Sequence, residues 1–160
     1  MSLTAFCVVG QSFLFMEFLS HSTEETKKFA AEFINNLSKS RPAGAVIICL
    51  SGNLGAGKTT FAQACAKVLG ITDRVTSPTF VLIKTYNLQL TTFNKLVHID
   101  AYRLKSGEEL EKLGWDEIIS DPRNLIFIEW PENVAGIIPS DAVRLKFDFI
   151  NENTRKISGV

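Results

Sequence analysis

Apolar and polar positions change rhythm several times along the chain. From Ser22 the run STEETKKFAAEFINNLSKS places Phe29, Ala30, Phe33, Ile34 and Leu37 on one stripe of helical period, with Ser22 and Glu25 at capping-box spacing. An amphipathic helix is predicted there, broken by Arg41, Pro42, Ala43 and Gly44. Ala45 to Leu50 is short, branched and wholly apolar, the pattern of a strand covered on both faces. Thr59 to Leu69 alternates small and large apolar residues before Gly70, which predicts a buried helix ending at a glycine cap. Leu96 to Ile99, ending at Asp100, and Leu125 to Ile128, ending at Glu129, read as two more buried strands. Between them SGEELEKLGWDEII has helical spacing with a break at Gly114. Ala142 to Ile150 alternates like a half-exposed strand, and Thr154 to Val160 pairs with it as a hairpin through Asn151 to Asn153. Strands alternating with helices in this way predict an α/β fold: a mainly parallel sheet between helix layers, with an antiparallel C-terminal edge.

With 160 residues, one ordinary domain accounts for the chain. Met16 opens a passage that reads as a domain start. Residues 1–15 are therefore expected to be a loose, even non-native, extension and residues 16–160 a single domain. Seventeen acidic residues balance seventeen basic ones, so the overall field neither attracts nor repels nucleic acid. Any service to a polyanion is then local or through a partner. Leu3 to Leu19 is fairly apolar but is interrupted by Gly10, Gln11 and Glu17, and falls short of the roughly 20 apolar residues of a spanning helix. No membrane role is expected. Cys7, Cys49 and Cys65 are unclustered and read as buried thiols suited to a reducing cytoplasm.

The chemistry is concentrated in Gly52-Asn53-Leu54-Gly55-Ala56-Gly57-Lys58-Thr59, which has the spacing Gly, four residues, Gly-Lys-Thr between a buried strand and the opening of a helix. Glycines let the backbone curl so that successive N–H groups point at phosphate oxygens, and the helix start adds the positive end of its dipole. Lys58 brings a full charge to the outer phosphates, and the Thr59 hydroxyl can ligate Mg²⁺. A plain strand-to-helix turn requires neither side chain. A magnesium-dependent phosphate site also wants a carboxylate at the carboxyl end of a neighbouring strand, where ligands of open α/β sheets gather. Asp100 and Glu129 are both so placed, although either could also serve as a helix cap or a solvated strand end. The chain does not divide metal ligation from water activation between them. ATP is preferred to GTP, because Asn94-Lys95 lacks the aspartate of a guanine reader and no aspartate is followed by glycine three positions on.

Three further clusters are ambiguous singly. VTSPTF, Val75 to Phe80, is a turn or a γ-phosphate sensor. HIDAYRL, His98 to Leu104, is at its plainest a satisfied strand end, with His98 packed and Arg103 pairing with an acid. IEWPE, Ile128 to Glu132, sets Trp130 beside its carboxylate at a proline turn.

In this order, LSGNLGAGKTTFAQ, VTSPTF, HIDAYRL, LGWDEII and IEWPE closely resemble the TsaE (YjeE) family, small P-loop ATPases of tRNA threonylcarbamoyladenosine (t6A) biosynthesis. The resemblance covers nearly everything from about Phe18 to the C-terminus. It implies a P-loop NTPase three-layer sandwich. It also implies a cytoplasmic ATPase that does not carry the threonylcarbamoyl group itself. Such a protein hydrolyses ATP with Mg²⁺ to support the TsaD–TsaB transferase, resetting it between rounds, and meets tRNA only through that complex. Activity would be weak alone and raised by the partners. By position, Gly52, Gly55, Gly57, Lys58 and Thr59, with Thr60, would hold phosphates and Mg²⁺, and Thr79 would belong to a switch-like loop. Asp100 would be the catalytic acid, Glu129 the carboxylate near Mg²⁺, and Trp130 a neighbour of the nucleotide. Asn53 departs from the family, which usually has an acidic residue there. A small-molecule kinase is the alternative, and a nucleotide-gated binding module a third possibility.

Overall fold

A computed structural model of the chain describes residues 17–37, 44–73, 75–76, 78–89 and 91–160, together with the backbone of 7–9 and 12–14. The predicted break at Arg41 to Ala43, Ser77 of the Ser-Pro turn and most of the expected extension 1–15 lie outside the described residues. So does the side chain of Cys7. Strands β1 (Cys7–Val9) and β2 (Ser12–Leu14) pair antiparallel with each other.

The other strands form one sheet. They are β3 (Glu17–Ser20), β4 (Val46–Ser51), β5 (Ile83–Asn87), β6 (Lys95–Asp100), β7 (Asn124–Glu129), β8 (Val143–Phe149) and β9 (Arg155–Gly159), in the order β3-β9-β8-β4-β7-β6-β5. The four central strands are parallel. The predicted C-terminal hairpin is present as β8 and β9. Antiparallel pairing also occurs at the other edge, where β5 runs against β6. The connection from Asn87 to Lys95 is too short for the crossover that a parallel pair needs, about a dozen residues or more.

Helix α1 (Thr23–Leu37) starts as its capping residues predict: the Glu25 N–H donates to Ser22 Oγ at 3.2 Å. The return bond to the Glu25 carboxylate comes from His21 N–H, at 2.7 Å, one residue before the cap. Its apolar stripe packs on α2 (Lys58–Val68) through tilted and edge-on rings, Phe29 and Phe33 against Phe61, with Phe61 against Phe147 of the sheet. Successive residues of β4 serve opposite faces. Val46, Ile48 and Leu50 join α1 and α2, whereas Ile47 and Cys49 join the second layer. That layer holds α3 (Gly107–Glu111), α4 (Trp115–Ser120) and a 3₁₀ segment, Pro131–Ile137. Gly114, at φ 90°, takes the left-handed turn between α3 and α4 that delivers Trp115 into this core. Helix, sheet and helix make the three layers expected. Burial pushes the Cys49 thiol up to about 11, with Arg144 drawing it down and Glu132 adding to the rise, and holds Cys65 well above the ordinary thiol range. Both are inert, buried thiols.

Because β4, β6 and β7 run parallel, Ser51, Asp100 and Glu129 finish at one edge of the sheet, with Leu50 opposite Glu129 and Asp100 also opposite Glu129. The site is built on that edge.

Candidate functional site: a phosphate loop facing two carboxylates

Three glycines with positive φ, Gly52 (135°), Gly55 (78°) and Gly57 (105°), fold residues 52–57 from the end of β4 into the start of α2. Gly52 has a second constraint. A methyl group there would stand 2.2 Å from the Phe147 carbonyl oxygen of β8, a contact with backbone that cannot rotate away. Gly52→Ala is therefore expected to destabilise the fold by about 2–5 kcal/mol, from forbidden backbone geometry and overpacking together. Denaturant unfolding measures it, and a loss below about 0.5 kcal/mol, the scale of an ordinary surface substitution, would contradict this geometry.

The first turn of α2 has no side-chain cap, so its leading N–H groups remain available to a ligand at the positive end of the helix dipole. Lys58 is buried, and its Nζ donates to the carbonyls of Gly52 at 2.6 Å and Asn53 at 3.0 Å. An ammonium has three protons, so one is left for a further acceptor. Burial pulls the Lys58 ammonium below its ordinary range, while Glu129, Glu132 and Asp100 draw it back up. Nζ also lies 4.3 Å from the centre of the Trp130 ring. Trp130 reaches that place from a left-handed backbone, φ 58° and ψ 48°, a conformation costing a non-glycine residue about 1–3 kcal/mol.

The carboxylates are held from several sides. The Thr59 hydroxyl lies 3.1 Å from each oxygen of Glu129, and His98 Nε2 is 2.9 Å from Oε1 of the same carboxylate. The other ring nitrogen of His98, Nδ1, is buried and has no hydrogen-bond partner among the described residues. Asp100 accepts from the Thr79 hydroxyl at 2.7 Å and from the Tyr102 N–H at 2.9 Å. Phe80 and Val81, just beyond Thr79, are exposed, and the Arg103 guanidinium lies 4.6 Å from the Phe80 ring centre. Among the described residues Arg103 makes no ion pair with an acid, contrary to its plainest reading, and instead meets an aromatic ring.

A cavity of about 330 Å³, at the small end of ligand clefts, opens between these groups. Ten of the residues singled out in the sequence line it: Leu54, Gly55, Gly57, Lys58, Thr59, Thr60, Thr79, Asp100, Glu129 and Trp130. Gly52 and Asn53 contribute carbonyls to Lys58 instead, and Ala56 is buried beneath the loop. Three residues had no role in the sequence reading of the site. Tyr102 and Arg155 line the cavity, and His98 stands behind Glu129. Alternation along β6 carried a signal for His98, since residues two apart share a face. Arg155 is far from every motif in the chain, and only the hairpin brings it in.

Comparison with known proteins points to one family. The family model for "Threonylcarbamoyl adenosine biosynthesis protein TsaE" matches residues 20–157. Relatives described as tRNA threonylcarbamoyladenosine biosynthesis protein TsaE include one from Aquifex aeolicus, 36% identical over 146 residues, covering 90% of this chain and 95% of that protein. One from Rickettsia bellii is 36% identical, covering 84% and 88%, and one from Streptomyces coelicolor is 41% identical, covering 73% and 77%. Among solved structures, the crystal structure of YdiB from Bacillus subtilis superposes with a TM-score of 0.69 at 28% identity, over 90% of this chain and 83% of that one. Sheet order, glycine loop and family match agree, and the chain belongs to the TsaE family, P-loop proteins of tRNA threonylcarbamoyladenosine biosynthesis.

Proposed function

We propose that this chain is a Mg²⁺-dependent ATPase that supports the TsaD–TsaB complex in t6A modification of tRNA. The observation that carries the reading is the contact of the Thr59 hydroxyl with both oxygens of Glu129, one residue from Lys58 at the opening of α2. A structural turn needs no such pairing of hydroxyl and carboxylate beside a buried ammonium. Both groups offer hard oxygen donors, which suits Mg²⁺: this ion takes few protein ligands and completes its shell with water and phosphate oxygens. Thr59 and Glu129 would hold it, and it would supply neutralisation of phosphate charge.

The amides of residues 52–60 bind the phosphates, and Lys58 offers its remaining proton to the outer ones. Asp100, fixed by Thr79 and Tyr102, orients a water and takes its proton as the water oxygen bonds to the terminal phosphorus and the bond to the bridging oxygen breaks. ADP and phosphate leave. His98 is a positioning residue, holding one oxygen of Glu129 in place. Trp130 flanks the nucleotide, and Thr79 ties the loop of Phe80 and Val81 to the catalytic carboxylate. The balanced net charge fits a protein that reaches tRNA through partners rather than by its own grip, and the working compartment is the cytoplasm. No helix among the described residues is long and apolar enough to cross a membrane.

The test is phosphate release from ATP with and without TsaD and TsaB homologues. Slow turnover alone and a clear rise with the partners are expected. Robust phosphorylation of a metabolite, with no response to the partners, would assign the site to a small-molecule kinase instead.

A further inference from the structure

Arg155 opens β9, on the far side of the loop from the carboxylates. The order β9-β8-β4-β7-β6 places β4 and its loop between the two groups. β8 runs parallel to β4, so its last residues rise at the same sheet edge as the loop. There Phe149 pairs with Arg155 across the antiparallel hairpin. The Arg155 side chain then lies along the loop: a methyl group on Gly57 would come within 2.9 Å of its Cδ and 3.0 Å of its Nε. Arg155 lines the same cavity as Lys58 and Thr59.

Two features set this guanidinium apart from a surface arginine. Among the described residues its buried Nε has no hydrogen-bond partner, and none of the ion pairs involves it. A buried donor left unmade is costly, most of all on a charged group. Lys58, by contrast, sits among Glu129, Glu132 and Asp100, which offset its charge. The cavity thus has one end where charges are balanced and another, lined by Arg155, where the cation has no counter-ion among the described residues.

We propose that Arg155 binds the nucleotide at its α-phosphate end, opposite the end where Asp100 and Glu129 meet the terminal phosphate. This rests on the nucleotide reading of the site and adds a ligand contact to it. The polarity follows from the sheet: Thr59 and Glu129 mark the terminal-phosphate side, so a triphosphate lying along the loop past Gly57 directs its nucleoside toward β8 and β9. The guanidinium fork suits a phosphate with two free oxygens.

The test compares binding of ATP and ADP by calorimetry in wild type, R155A, R155M and R155K, all with Mg²⁺. Loss of a charge-assisted contact should weaken R155A and R155M by about 10- to 100-fold. Both nucleotides should suffer by the same factor, because both carry the α-phosphate, and R155K should recover part of the loss through its charge. R155M keeps most of the aliphatic stem, and melting without nucleotide establishes that each variant is folded. Unchanged affinity in R155A and R155M, with wild type binding normally, would overturn this assignment and leave the ATPase reading standing. Weakened ATP binding with unaltered ADP binding would place the guanidinium at the terminal phosphate and also overturn it. Wild type that binds neither nucleotide would overturn the ATPase reading and this contact with it.

Discussion

Asp100→Asn is expected to bind ATP nearly as the wild type does and to turn it over about 10²–10⁴ times more slowly, the usual cost of losing a positioned base. Isostery makes the two effects separable. The Asp100 carboxylate accepts from Thr79 and from the Tyr102 N–H. An asparagine oxygen can keep the backbone bond while its amide donates to the Thr79 hydroxyl, so loop and strand end retain their places. What is lost is the ability to take a proton. Phosphate release under saturating ATP measures the rate, and titration with a fluorescent ATP analogue measures affinity. Turnover within about threefold of wild type would remove Asp100 from the chemistry, since even the smallest such effects reach about 10²-fold.

Much of this site was legible in the chain because its parts are local. The glycine loop is one contiguous stretch, and its conformation follows from positive φ at Gly52, Gly55 and Gly57. Asp100 and Glu129 could be placed because a buried apolar run that stops at a carboxylate puts that carboxylate at a strand end. Parallel strands then bring such ends to one edge. The helix of residues 23–37 and the C-terminal hairpin were readable for the same reason, each having its own period and its own boundary residues.

What escaped was long-range. β3 is four residues at an edge, with no periodicity of its own, and exists because β9 offers it a partner. The direction of β5 was set by the short connection to β6 rather than by its residues. His98 could be read as a packed strand residue, but its bond to Glu129 depends on β6 and β7 being neighbours. Arg155 reaches Gly57 only through the order of β8 and β9 in the sheet. Trp130 was legible as an aromatic near the site, yet its left-handed backbone is a property of the assembled turn.

The second large effect is expected at Lys58. Lys58→Met keeps most of the side chain's packing and removes the charge, and with it the bonds to the Gly52 and Asn53 carbonyls. Loss of the charge-assisted contact to phosphate should weaken ATP binding by about 10- to 100-fold. The fold itself should suffer far less, because burial already disfavours the ammonium and its removal relieves that cost. The variant is therefore expected to melt cooperatively near the wild-type temperature without nucleotide, and to gain little from ATP at concentrations that saturate the wild type. A variant binding ATP as tightly as wild type would show that the ammonium does not meet phosphate.

The most direct measurement is the melting temperature of the wild-type chain with Mg²⁺, with and without ATP. At a hundredfold excess over the dissociation constant, a ligand of the folded state adds about 2.7 kcal/mol, which for a chain of this size raises the midpoint by about 5–10 °C. That rise, shrinking when Mg²⁺ is chelated, is the result expected if the loop of residues 52–60 is a triphosphate site. A cooperative melt unmoved by Mg²⁺ and ATP up to millimolar concentration would contradict it.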